Sequence, residues 1–303
     1  MSLAQVWFEQ LMNGLVLGSF YALIALGYSM VYGIIKLLNF AHGDIYMWGS
    51  FVTLFIFGYA SVVVGSGWAA VLLGMITAMI FMGLVAFFIQ RFAYRPLFDA
   101  PRLSLLITAI GVSMILYNLM MVLTNGEYKF FNSDINVAAG IAIGPFTLTY
   151  VKLIMLIITA VLMISLSLFI NRTIWGKAMR GIAQDKNTCR LMGINVNKII
   201  GLTFFIGSAL AAVAGCMACV YYGSLHYFMG YIMGIKAFTA AVIGGIGSIP
   251  GAMLGGILLG LLEAVGTQVI GSAWKDVFAF VILIIMLIFK PTGMMGKTEI
   301  ERM

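Results

Sequence analysis

Apolar residues fill this chain in long blocks, separated by short clusters of charge, glycine and asparagine. Glu9 and Lys36 bracket 26 residues free of Asp, Glu, Lys and Arg, Asp44 and Arg91 bracket 46, and Arg102 and Glu127 bracket 24. Lys152 to Arg172, Lys198 to Lys236 and Lys236 to Glu263 continue the pattern, and a shorter run lies between Asp276 and Lys290. A helix needs about 20 apolar residues to cross a hydrocarbon core about 30 Å thick. The blocks therefore predict an all-α polytopic membrane protein. With Gly, Pro, Asn and charge as boundaries, eight spans fall near 11–35, 45–64, 67–90, 103–124, 151–170, 199–222, 252–270 and 273–290. The stretch 237–247 is left over. At about 1.5 Å per residue it covers only about half a bilayer, so it is either a ninth crossing or a re-entrant piece.

Composition agrees. The 303 residues are 63% hydrophobic and 9% charged, against about 45–50% and about 25% in soluble domains. The net charge of +7 does not point to nucleic acid, because the basic residues sit in the loops between spans, where they set orientation. Loops at 36–44, 91–102 and 171–198 and the tail from 290 hold thirteen Lys and Arg, while Lys129, Lys152, Lys236 and Lys275 fall on the other side. That asymmetry predicts an outside N-terminus and a cytoplasmic C-terminus. The outside loop 125–150 is mildly polar and fits a small surface cap. The first Lys or Arg is Lys36, so no cleaved leader or transit peptide is expected. All of 1–303 reads as one transmembrane domain carrying one long charged loop at about 171–198.

Two stretches break the pattern. "GGIGSIPGAMLGG", Gly244 to Gly256, packs six glycines and a proline into thirteen residues. Gly247, Gly251 and Gly255 recur every four residues, as do Gly256 and Gly260, and Gly14 and Gly18; Gly207, Ala211 and Gly215 repeat the device. Small residues at that spacing let helices approach closely in lipid. Close approach does not account for Ser248 and Pro250, and non-helical backbone at membrane depth survives only where protein buries it or water reaches it. Gly247, Ser248, Pro250 and Gly251 are thus candidate hinge or pathway residues. In "LLNFAHGDIYMWGS", Leu37 to Ser50, the polar residues Asn39, His42, Gly43 and Asp44 sit between two apolar runs. They are pathway candidates on the same ground, and Asp44 equally suits an N-terminal cap of the next helix. Glu263, about a dozen residues into its span, must pair or stay protonated, and Lys236 is a conceivable partner.

Known catalytic and metal patterns are missing. "TGMMGKT", Thr292 to Thr298, lacks the first glycine of a phosphate loop, since Pro291 stands there. Cys216 and Cys219 form a CxxC inside an apolar run without a second pair, and read as small packing residues. Two histidines leave little room for imidazole catalysis. No enzyme is expected. The segment "WGKAMRGIAQDKNTCRLMGINVNKI", Trp175 to Ile199, predicts an amphipathic helix over about 176–192 stopped by Gly193. Met179, Ile182, Ala183 and Cys189 lie near one face. Such a helix can rest on anionic lipid or dock into a partner's groove.

The stretches "NGLVLGSFYALIALGYSMVYGIIKLLNFAHGDIYMWGS", "RGIAQDKNTCRLMGINVNKI" and "GIKAFTAAVIGGIGSIPGAMLGGILLGLLEA" together resemble the permease subunits of bacterial high-affinity branched-chain amino-acid ABC importers. The likeness runs from about residue 11 to "PTGMMGK". It implies a permease of the bacterial inner membrane, paired with a second, homologous permease and driven by two cytoplasmic ATP-binding subunits. A periplasmic amino-acid-binding protein would deliver leucine, isoleucine or valine. ATP and Mg would be used by the partner ATPases, with no cofactor bound by this chain. The resemblance also implies that the region holding Gly176, Arg180, Asp185, Asn187, Arg190, Gly193 and Ile194 is the coupling helix set in the ATPase groove; Gly181 and Cys189 stand where alanine is more usual. Three rivals remain at this point: a permease of similar organisation for urea, short amides or sugars, an ion-coupled secondary transporter using Glu263 or Asp44, and a channel-like or structural subunit.

Overall fold

The computed structural model describes residues 3–65, 67–98, 100–136, 139–143 and 146–296. Lys297 and Arg302, two of the basic tail residues, lie outside them. The helices are α1 (Leu3–Ile35), α2 (His42–Val64), α3 (Trp68–Ile89), α4 (Arg102–Thr124), α5 (Tyr150–Arg172), α6 (Ile174–Gln184), α7 (Lys186–Leu191), α8 (Val196–Tyr222), α9 (Met229–Gly244), α10 (Ile249–Ile270) and α11 (Lys275–Phe289). Among the described residues, eight helices are long and apolar enough to cross a membrane, and α9 is a shorter apolar helix. The all-α polytopic class follows directly.

Two helices, α1 and α8, form the buried centre, and the others wrap them with one face outward. The reason is side-chain size. Gly14 and Gly18 of α1 meet Gly256 and Gly260 of α10 backbone to backbone, and a Cβ on Gly18 would lie 2.8 Å from the Ile257 Cα. Gly207 of α8 faces Gly27 of α1 in the same way, at 3.2 Å. Lipid tails are as apolar as leucine, so close backbone packing rather than exclusion from water selects which helices go inside. The lipid-facing helices are greasy all round: α4 leaves Ile107, Met114, Ile115 and Val122 exposed.

Beyond α4, short strands β1 (Lys129–Phe130), β2 (Gly140–Ile143), β3 (Phe146–Thr149) and β4 (Ser224–Leu225) form two antiparallel pairs, β1 with β4 and β2 with β3. In register, Lys129 stands opposite Leu225 and Gly140 opposite Thr149. They build the cap expected of this loop and tie it to the end of α8.

Three expectations need correction. Of the leftover stretch 237–247, residues 237–244 belong to a helix that starts at Met229 and is sixteen residues long, and 245–247 form the turn after it. Lys236 looked like a boundary, yet its charge is paired inside the bundle and ends nothing. The single helix expected over 176–192 is two, because Asp185 turns extended and its carboxylate accepts from the Asn187 and Thr188 amides, capping α7. Asp44 is not a cap, since α2 starts from Ala41 without a side-chain capping bond and Asp44 lies within its first turn. Gly193 does stop the segment, at φ +80°.

Candidate translocation site and cytoplasmic helices

Both breaks come to rest on one short piece of α1, Gly27 to Gly33. On one side His42 sits over Gly27, so close that a Cβ there would lie 2.5 Å from its Cε1, and the Tyr28 ring meets the imidazole edge-on at 4.9 Å. Gly43 packs against Gly234 of α9, where a Cβ would approach the Cα to 2.7 Å. Asn39 is buried and accepts a 2.7 Å bond from the Tyr94 hydroxyl. Tyr94 reaches it because α3 continues as a π-helical turn, Gln90–Tyr94, a widening that proteins often use at functional sites.

On the other side Ser29 holds the second break. Its Oγ accepts from the Gly247 amide at 2.8 Å and donates to the Ser248 carbonyl at 3.3 Å. Gly247 has φ +90°, a conformation that glycine alone adopts cheaply. Ser248 then caps α10, its hydroxyl accepting from the Gly251 amide at 3.2 Å, and Pro250 stands in the first turn, where a missing amide costs nothing. The helix breakers therefore start a helix. Gly251 and Gly255 let α10 fold back against Gly244 and Ala240 of α9. The tail joins this turn, with the Met294 and Met295 amides donating to the Ile243 and Gly244 carbonyls at 2.8 and 2.9 Å. Those carbonyls at the end of α9 have no intrahelical partner otherwise, so the glycines of the tail serve a backbone clasp.

Glu263 is fully buried and belongs to a network. Its Oε1 pairs with Lys236 Nζ at 2.7 Å and with Lys275 Nζ at 3.4 Å, and its Oε2 accepts from the Tyr21 hydroxyl at 2.7 Å. Lys236 also reaches Asp276 at 2.6 Å. Two cations and two anions balance, and the network joins α1, α9, α10 and the weakly packed α11. It is separate from the cluster at Asn39 to Asp44.

Asp44 stands apart from that balance. It accepts a 2.5 Å bond from Ser113 of α4 and borders a cavity between α1, α2, α4, α9 and α11.

On the charged loop, Met179, Ile182 and Cys189 are buried as expected and Ala183 is exposed. Gly176 is buried against the Ile170 carbonyl, and Arg180 donates to that same carbonyl at the end of α5. Arg180 and Gly176 thus anchor α6 to its own subunit. Asn187 and Arg190 point outward, Asp185 caps α7, and Ile194 packs partly inward. Arg180, Met179 and Ala183 share a narrow crevice with Ser29, Gly33 and Gly247, which puts α6 in touch with the second break. Sequence reasoning missed the exposed apolar residues of this segment: Ile174 is 82% exposed and Leu191 89%, and Trp175 and Met192 are exposed too. Large apolar residues set in an otherwise charged loop were the signal.

The family model for the branched-chain amino acid transport system permease component matches residues 10–287. The chain is 44% identical to the high-affinity branched-chain amino acid transport system permease protein BraD of Pseudomonas aeruginosa, covering 98% of each chain. It is 41% identical to the LivH permease protein of the corresponding system in Escherichia coli K12, over 97% of each. A probable branched-chain amino acid transport permease of Methanocaldococcus jannaschii is 26% identical over 94% of this chain and 91% of its own.

Proposed function

This chain belongs to the branched-chain amino acid transport system permease family, and on that footing we propose that it is the membrane permease of an ABC importer for branched-chain amino acids. It is a transport subunit rather than an enzyme, and its relatives are permease proteins of high-affinity branched-chain amino acid transport systems. In our reading 1–303 forms one permease domain of the bacterial inner membrane, with the N-terminus outside and the C-terminus in the cytoplasm. It works beside a second, homologous permease, two cytoplasmic ATPases that use ATP and Mg, and a periplasmic amino-acid-binding protein.

The observation that carries this reading is the pair α6 and α7. Their apolar residues Met179, Ile182 and Cys189 are buried, while Ile174, Trp175, Leu191 and Met192 are left exposed. An exposed apolar patch on the motor side is a docking surface for a partner. Asp185, Asn187 and Arg190 form its polar rim, Gly193 and Ile194 set its end, and Gly176 and Arg180 hold it to α5. Movement of that patch reaches Ser29 and Gly247 through the shared crevice, so Gly247, Ser248, Pro250 and Gly251 act as the hinge. Asn39, His42, Gly43 and Asp44 line the moving path, and Glu263 anchors it. An ATP-driven change of state requires different ATP affinities in the two states.

The test is Leu191→Asp with Asn187→Ala in the assembled transporter. Copurification of the ATPases and their stimulation by loaded binding protein are both expected to fall. Wild-type stimulation and uptake in that variant would remove the coupling role. Uptake that survives ATP depletion while an ion gradient is held would favour the ion-coupled rival.

A further inference from the structure

Among the described residues two carboxylates are buried inside the bundle, and of these Glu263 pairs with cations while Asp44 does not. Asp44 is 3% exposed. Its Oδ2 accepts from the Ser113 hydroxyl, and among the described residues no Lys or Arg forms an ion pair with it. The N-terminal end of α2 supplies only partial positive charge. A buried carboxylate normally keeps a cation or a fuller set of donors, so this one has spare capacity. It borders a cavity of about 430 Å³, inside the range of about 300–1,000 Å³ typical of small-molecule sites. The remaining wall is apolar and aromatic, with Tyr28, Phe40, Tyr231, Phe238 and Leu283. A carboxylate flanked by aromatic faces is the chemistry that recognises ammonium, and an aliphatic wall suits a branched hydrocarbon side chain.

We propose that Asp44 and Ser113 form a binding site for a primary ammonium carried on an aliphatic body, and that its occupant is the amino acid in transit. This rests on the permease reading above. An aminolipid headgroup offers the same ammonium, but the carboxylate lies behind walls drawn from five helices, including the central α1. Asp44 itself is buried while Phe40 and Tyr231 at the cavity's edge are exposed, and the aliphatic and aromatic lining favours the hydrocarbon body of a free amine over a bulky phosphate headgroup.

The test uses the assembled transporter in nanodiscs of phosphatidylcholine and phosphatidylglycerol, with Leu283→Cys as a reporter on the cavity wall. The three native cysteines are buried and set the background. The probe is 3-methylbutylamine, and 3-methylbutanol is its uncharged control. The amine is expected to slow methanethiosulfonate labelling at least about threefold, the alcohol to do nothing, and Asp44→Asn to abolish the protection. Equal protection by the alcohol, or protection that survives Asp44→Asn, overturns the site. Phosphatidylethanolamine added to the discs is expected to leave the amine's protection unchanged. If it protects by itself in an Asp44-dependent way, the occupant is lipid and the proposal fails. In proteoliposomes, Asp44→Asn is expected to cut leucine uptake at least about tenfold while binding-protein-stimulated ATPase activity persists, with Asp44→Glu restoring uptake. Parallel loss of both activities, unrescued by Glu, would make Asp44 a structural residue and overturn the proposal. If the unmodified complex accumulates no leucine, the permease reading fails, and labelling still decides the ammonium site.

Discussion

Removing Lys236 leaves a fully buried Glu263 carboxylate with the Tyr21 hydroxyl and the more distant, one-third-exposed Lys275. Unit charges at the observed 2.7 Å attract by about 6 kcal/mol at an effective dielectric constant of about 20. Desolvation of both ions takes much of that back, so the whole pair adds little net stability. Breaking it from one side is still costly, at about 3–5 kcal/mol. Lys236→Met is expected to lose that amount. Glu263→Gln should lose less, about 1–3 kcal/mol, because Lys236 keeps Asp276 at 2.6 Å and the amide still offers an acceptor to Tyr21. The double variant should be no worse than Glu263→Gln, giving a coupling at least as large as the Lys236→Met loss, about 3–5 kcal/mol. Reversible unfolding in mixed micelles, titrated with dodecyl sulfate and followed by circular dichroism, measures all four corners of the cycle. A loss below about 1 kcal/mol for Lys236→Met, or strict additivity in the double variant, refutes the view that this network ties α9, α10 and α11 to α1.

The seam between α1 and α10 should be intolerant of bulk. Gly260→Val drives a side chain into the Gly18 backbone and is expected to cost at least about 1–3 kcal/mol in the same unfolding assay; Gly58→Ala, mid-helix with open space around it, should cost nothing and gain up to about 1 kcal/mol. The Asp185 carboxyl is held below its ordinary value of 3.8, first by the Thr188 hydroxyl and then by the Thr188 and Asn187 amides. A depressed native value means that its capping contribution is intact above 3.8 and disappears as pH falls through the native value. Hydrogen-exchange protection of the Asn187 and Thr188 amides should therefore hold steady from neutral pH down to that point, and Asp185→Ala should abolish it at pH 7. Protection that fades already near neutral pH would contradict the cap.

The eight crossings were legible from apolar length bounded by charge, Gly, Pro and Asn, because a bilayer demands about 20 apolar residues from any helix that spans it, whatever surrounds that helix. The position of the charged loop, the stop at Gly193 and the need of Glu263 for a partner were equally plain, since each follows from local chemistry. Packing was not. In water an amphipathic stripe tells a helix which side to bury, but here lipid and protein interior are both apolar, so α1 and α3 read alike and only the spacing of small residues hinted that α1 lies inside. Lys236 misled for the same reason: a charge ends a span only when it stays unpaired, and its pairing with Glu263 is a tertiary fact. Ser113, Tyr94, Ser29 and Tyr21 went unnoticed as lone polar residues in apolar helices. The fold placed them opposite Asp44, Asn39, Gly247 and Glu263, contacts spanning 55 to 242 residues of chain. Local pattern carries no distance information across such separations, so the crossings belonged to the sequence and the site to the folded bundle.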